Sequence, residues 1–122
     1  LKQLKELIKL NLIDYMAIDF KAHKDKFFEL TRTNMYDKFI EVIKYLISID
    51  FPFELRTTIN SKLLDENDIN LMIDVLKQIE YKNTYYLQNF IETSSNIAGI
   101  SQGRSIDTSL IEPQGLNIHW RN

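Results

Sequence analysis

Two charged side chains lie at the end of the first long apolar stretch of this chain. Residues 12–20 are mostly apolar, Asp19 stands near their end, and Lys21 follows them. In an extended backbone, side chains two positions apart point to the same face. Ligands of parallel β/α folds bind at the carboxyl ends of the strands. We therefore expect Asp19 and Lys21 to form a charged pair at the mouth of a binding site.

Two further groups of polar residues occupy comparable positions later in the chain. Glu54, Arg56 and Thr58 alternate with apolar neighbours and so share one face of a strand, where the guanidinium of Arg56 would suit a carboxylate. Gln88 offers a neutral amide near the end of a third apolar stretch. Together the three groups would suit an amphoteric ligand, which needs a cation, an acceptor and an amide. A salt bridge at the rim of the sheet is the alternative for each group alone.

The spacing of apolar residues predicts the elements that hold these side chains. Helical spacing predicts helices over residues 1–10, 34–50 and 65–78, with Asn34 and Asp65 as N-caps. Short apolar stretches predict strands over residues 12–20, 51–59 and 84–91. Strands that alternate with helices in this way form parallel βαβαβ units with right-handed crossovers. The predicted fold class is therefore α/β.

The last part of the chain differs in composition from the rest. Residues 93–114 are rich in Ser, Asn and Gly and lack periodicity, which predicts a loop. Residues 116–121 alternate and predict an edge strand. We therefore divide the chain into a β/α unit over residues 1–92 and a loop-rich tail over residues 93–122.

The composition excludes several classes of function. The 122 residues include no cysteine, which excludes disulfides and cysteine-ligated metal clusters within this chain. The three glycines, Gly99, Gly103 and Gly115, do not have the spacing of a phosphate-binding loop motif. A net charge of -2 provides no field that would attract nucleic acid or an anionic membrane. No apolar run reaches the roughly 18 residues of a membrane span, so we expect a cytoplasmic protein. His23 and His119 lack metal-ligand spacing and are interpreted as surface histidines.

The three strand sequences resemble those of radical S-adenosylmethionine activating enzymes. Residues 13–22, IDYMAIDFKA, resemble the family string DYVAMDIKA. Residues 54–58, ELRTT, resemble EFRTT, and residues 85–90, YYLQNF, resemble YYLQQF. Their order and separations are similar to those in the activating proteins of anaerobic ribonucleoside-triphosphate reductase, and the type is shared with pyruvate formate-lyase activating enzymes. The likeness covers about residues 1–92.

This resemblance implies a fold and a set of site residues. The three strands correspond to the fourth, fifth and sixth strands of a partial (β/α)6 barrel, so the chain would be the C-terminal half of such an enzyme. A start at Leu1, within an amphipathic pattern, also leads us to expect a piece of a longer gene product, and a processed or trimmed chain is the alternative. In the family, the D-x-K element contacts the methionyl and ribose parts of S-adenosylmethionine. The resemblance implies the same role for Asp19 and Lys21. By the same resemblance, Arg56 would contact the carboxylate of the cofactor or make a contact at the barrel rim. Gln88 would line the cavity.

The chain departs from the family pattern in two respects. The C-x-x-x-C-x-x-C loop, which binds the [4Fe-4S] cluster of the family, is absent, as is the G-G-E element. Without thiolates the cluster that delivers the electron cannot be bound, so we expect the chain alone to be inactive. The partner implied by the resemblance is a glycyl-radical enzyme, and the strings favour an anaerobic ribonucleotide reductase.

Two other functions remain open at this point. The first is a non-catalytic half-barrel that serves as a protein-interaction module. The second is a small α/β enzyme that uses Asp19 and Lys21 as acid and base, although no nucleophile or second carboxylate is placed beside them. A half-barrel also has an open edge along residues 12–20, which predicts self-association unless the tail covers it.

Overall fold

Alternating helices and strands follow the apolar periodicity of the chain. The computed structural model describes residues 2–60, 62–89 and 106–121. Its elements are α1 (Lys2–Lys9), β1 (Met16–Asp19), α2 (Lys24–Thr31), α3 (Tyr36–Ser48), β2 (Phe53–Ile59), α4 (Glu66–Gln78), β3 (Tyr85–Asn89), a 3₁₀ turn (Thr108–Leu110) and β4 (Ile118–Arg121). The predicted α/β class is confirmed.

The four strands form one parallel sheet in the order β1-β2-β3-β4. Every strand therefore pairs with the strand that follows it in the chain. Such an order, without a reversal of direction across the sheet, is typical of β/α barrels, whereas doubly wound sheets contain a switch point. The sheet is compatible with the predicted half-barrel.

One face of the sheet is buried and the other is polar. Along β2 the buried residues Phe53, Leu55, Thr57 and Ile59 alternate with more exposed ones. The buried face shares a core with α3 and α4, so these helices pack on that side. The opposite face, which we call the open face, consists of Ala17, Asp19, Glu54, Arg56, Thr58, Tyr86, Gln88, His119 and Arg121. Its side chains are half-buried or exposed, as expected for the inner wall of an incomplete barrel.

Of the two predicted helix N-caps, Asp65 is confirmed and Asn34 is wrong. Asp65 caps α4 through a capping box, in which its carboxylate accepts from the backbone N–H of Asp68 and the Asp68 carboxylate accepts from that of Asp65, both at 2.9 Å. Asn34 is not the cap of α3. That helix begins at Tyr36, and Met35 occupies the cap position without a side-chain hydrogen bond.

Two elements differ from the prediction. Residues 24–31, which lie between the first predicted strand and the second predicted helix, form α2. This helix buries Phe27, and its C-cap is Arg32, with a φ of 61°. The first strand spans only Met16–Asp19 rather than residues 12–20, because the Leu12 N–H bonds to the Leu7 carbonyl at 3.0 Å and closes the end of α1. The unpaired edge of β1 among the described residues is therefore shorter than expected.

The described part of the tail packs against the β/α unit. The predicted edge strand is confirmed as β4, which pairs with β3 in parallel. The Asn70 side chain of α4 donates to the Leu110 carbonyl at 2.9 Å and accepts from the Glu112 N–H at 2.8 Å. The predicted boundary between residues 92 and 93 lies outside the described residues. In the described ranges no helix is long and apolar enough to cross a bilayer.

Candidate functional site

The carboxyl end of β1 and the middle of β2 bring three of the predicted site residues together. Asp19 and Arg56 are partners in the strand register, and Arg56 Nε donates to Asp19 Oδ1 at 2.7 Å. Lys21 Nζ lies 3.4 Å from the other oxygen, Asp19 Oδ2. The predicted pair of Asp19 and Lys21 is thus part of a three-residue cluster, and the shorter contact of Asp19 is with Arg56.

We call Asp19, Lys21 and Arg56 the rim cluster. Its charges favour the ionised form of the Asp19 carboxylate. Partial burial raises the pKa of Asp19, but the hydrogen bond from Arg56 and the charges of Lys21 and Arg56 outweigh it and hold the pKa below its ordinary value. A carboxylate held by two cations is a weak proton acceptor, which disfavours the acid–base enzyme. Two cations beside one anion leave a surplus positive charge, and the Lys21 side chain is 59% exposed. The cluster can therefore bind an anionic group while Asp19 still offers an acceptor.

Buried neighbours fix the segment that carries Lys21. Phe20 and Ala22 are fully buried on either side of it. The Phe20 N–H donates to the Arg56 carbonyl at 2.8 Å, and the Phe20 carbonyl accepts from Thr57 Oγ1 at 2.7 Å. Lys21 is therefore presented to solvent by a backbone that is held on both sides.

A buried charged network ties the same loop to α4. His23 Nε2 donates to Asp68 Oδ1 at 2.8 Å, and Lys26 Nζ donates to Asp68 Oδ2 at 2.6 Å and to the Leu63 carbonyl at 3.1 Å. The interpretation of His23 as a surface residue is wrong, because it is 6% exposed. Desolvation raises the pKa of Asp68, but hydrogen bonds from Lys26, the Asp65 backbone and His23 lower it to about 2. The sequence does not reveal this network, because its partners lie 37 to 45 positions apart.

A second polar cluster lies on the same open face, next to the rim cluster. Glu54 accepts from Tyr15 Oη at 2.6 Å and lies 3.4 Å from Arg121 Nη1. The Arg121 guanidinium stacks over the Tyr86 ring at 3.6 Å, and Tyr86 meets His119 edge to face at 5.5 Å. This cluster could not be found from the sequence, because it depends on the pairing of β4 with β3. His119 is exposed, as predicted.

Gln88, the fourth predicted site residue, also lies on the open face, but on β3 rather than on β1 or β2. The register places it opposite Thr58 on one side and Arg121 on the other. Since adjacent strands are about 4.8 Å apart, Gln88 on β3 is about 10 Å across the sheet from the Asp19 strand. The structure therefore gives Gln88 a shared face with the rim cluster, at a separation that one nucleoside-sized ligand could bridge.

Comparison with known proteins gives one informative match. No family model matches the chain, and no solved structure matches it. A curated protein of Methanocaldococcus jannaschii, assigned as a glycyl-radical enzyme activating enzyme, is 34% identical over 92 residues. The match includes 71% of this chain but only 37% of the relative, so the chain spans little more than a third of that protein's length. This similarity supports a relationship to the glycyl-radical enzyme activating enzymes.

Proposed function

We propose that this chain forms the cofactor-contacting part of a radical S-adenosylmethionine enzyme that activates a glycyl-radical enzyme. The observation that carries the proposal is the cluster of Asp19, Lys21 and Arg56, which forms where β1 ends beside the middle of β2 in a singly wound parallel sheet. These residues belong to the strings that resemble the family, and the similarity to the M. jannaschii protein extends over 92 residues.

The donors and acceptors of this rim fit S-adenosylmethionine. The cofactor carries a carboxylate, an ammonium group, a sulfonium, ribose hydroxyls and an adenine ring. Asp19 and Lys21 would contact its methionyl and ribose parts, because one accepts and the other donates. Arg56 would bind the carboxylate or keep Asp19 ionised and oriented, and Gln88 would line the cavity with its amide. When bound, the cofactor supplies the radical chemistry that removes a hydrogen atom from a glycine of the partner.

The iron–sulfur cluster of the family does not fit the residues of this chain. Its ligands in the family are three thiolates, and the 122 residues contain no cysteine. The cluster ligands would therefore lie outside this sequence, and the role proposed for the present residues is to bind and orient the cofactor.

The proposed partner is a glycyl-radical enzyme of the cytoplasm. Within that class, the ELRTT and YYLQN strings favour an anaerobic ribonucleotide reductase. This choice rests on the resemblance of those strings, whereas the general class is also supported by the assignment of the relative.

A second candidate function is a non-catalytic half-barrel that binds another protein. Two observations favour it: the chain has no cysteine, and its open face carries the stacked Tyr86, His119 and Arg121 side chains. The two functions differ in one property, since the interaction module does not bind S-adenosylmethionine.

Isothermal titration of the chain with S-adenosylmethionine separates these functions. Lys21→Ala and Arg56→Ala each remove a charge-assisted hydrogen-bond donor, and we expect about tenfold weaker binding for each. Lys44→Ala is the matched control, because Lys44 is exposed on α3 and outside the rim cluster. Absence of binding by the wild-type chain, or equal binding by Lys21→Ala and Lys44→Ala, would contradict the proposal.

A further inference from the structure

Asn60 lies at the carboxyl end of β2. It directly follows Ile59, the last residue of the strand, and is 3% exposed. Its backbone carbonyl accepts from the N–H groups of Leu63 and Leu64, both at 2.8 Å. Its side-chain oxygen Oδ1 accepts from the Lys62 N–H at 2.9 Å. Asn60 therefore begins a turn in which both of its oxygens are used.

The side-chain nitrogen of Asn60 has no such role. Nδ2 is buried and has no hydrogen-bond partner among the residues that the structure describes. The bond from the Lys62 N–H to Oδ1 determines which way the amide is turned, so exchanging the two atoms would not satisfy Nδ2. A buried, unpaired donor is destabilising and therefore needs an explanation.

The turn itself does not explain an asparagine. Asp, Ser or Thr can accept the same bond from the residue two positions later, and none of them carries an amide donor. The amide nitrogen is therefore surplus to the fold. Asn60 is four residues beyond Arg56, which places it within about 13 Å of the rim cluster at the same end of the sheet.

We propose that Asn60 Nδ2 donates a hydrogen bond to the nucleoside part of S-adenosylmethionine, at a ribose oxygen or an adenine ring nitrogen. This inference rests on the proposed function. The charged groups of the cofactor find charged partners in Asp19, Lys21 and Arg56, whereas a neutral, buried donor suits a neutral acceptor. Asn60 would thus position the nucleoside while the rim cluster holds the charged arm.

The side-chain amide signal of Asn60 in ¹⁵N-correlation NMR tests this contact directly. The signal is assigned from its loss in Asn60→Asp, which keeps Oδ1, and in Asn60→Ser, whose hydroxyl can still accept from Lys62. The probes are S-adenosylmethionine, 5′-deoxyadenosine and methionine, each added to the whole chain. We expect the first two to shift the amide signal and methionine to leave it in place.

The binding affinity and the thermal stability of the two variants provide a second test. Both variants are expected to bind S-adenosylmethionine about tenfold more weakly. Asn60→Ser should unfold at or above the wild-type midpoint, because it removes a buried donor that has no partner among the described residues. If either variant fails to fold, the wild-type amide signal still decides the question.

The outcomes that contradict the inference differ from those that also contradict the proposed function. If S-adenosylmethionine shifts the backbone signals of Asp19 and Lys21 but not the Asn60 amide, the inference is wrong and the proposed function stands. A shift with methionine alone would overturn the assignment to the nucleoside. Variants that lose stability but bind normally would show a purely structural asparagine. If no probe shifts any signal, both the inference and the proposed function fail.

Discussion

The buried Asp68 carboxylate is expected to make the stability of the fold depend on acid pH. Its side chain is 9% exposed and accepts hydrogen bonds from His23, Lys26 and the Asp65 backbone. These bonds favour the charged form and lower the pKa of Asp68 from 3.8 to about 2. Because the folded-state pKa is the lower one, the contribution to stability is fully present above about pH 5 and is lost as the pH falls towards 2.

The size of the effect follows from the same two values. A difference between 3.8 and about 2 corresponds to about 2 kcal/mol of unfolding free energy, since one pKa unit is worth about 1.4 kcal/mol. Asp68→Asn removes the charge and with it this pH dependence. We therefore expect the wild-type chain to lose about 2 kcal/mol more than Asp68→Asn between pH 5 and pH 2.

Urea unfolding followed by circular dichroism at several pH values measures this difference. Asp25→Asn is the matched control, because Asp25 also lies in the first turn of its helix, α2, but is exposed. The control should follow the wild-type curve. Parallel losses of stability in wild type and Asp68→Asn would show that the buried network does not hold the carboxylate in its charged form.

Three further predictions follow from the core, the open face and the edge of β1. Ile73→Ala, at a fully buried position of α4, should lower the unfolding free energy in urea by about 3 kcal/mol, and a loss no larger than that of the exposed Leu71→Ala would contradict the described core. The hydrogen bond to Glu54 raises the pKa of Tyr15 to about 12, so Glu54→Gln should return it towards 10.0 in a ¹³C NMR titration, and an unchanged value would disprove the contact. Self-association through the edge of β1, which is unpaired among the described strands, predicts a dimer in light scattering, and a strict monomer at high concentration would exclude it.

The faces of the sheet could be predicted from the sequence because β2 alternates over its whole length. Glu54, Arg56 and Thr58 share the open face, as their spacing indicates. Asp65 was recognisable as a cap, since a carboxylate three positions before another acidic residue can complete a capping box. These features depend only on residues close together in the chain.

Features that depend on tertiary packing were missed. In α2 only Phe27 is buried, so the apolar spacing of this helix is too weak to predict it within a polar segment. Residues 12–15 are as apolar as β1 itself, and composition does not show that Leu12 instead closes the end of α1. The contacts of His23 with Asp68 and of Arg121 with Glu54 join residues that only the assembled sheet brings together.

Mapping S-adenosylmethionine onto the chain by ¹⁵N-correlation NMR shows whether the cofactor binds at the open face. We expect the largest shifts on Asp19, Lys21, Arg56 and Gln88, which share that face, while Lys82 and Asn83 before β3 stay unchanged. Shifts confined to the helical side of the sheet, or no shifts at all, would show that the open face does not bind the cofactor.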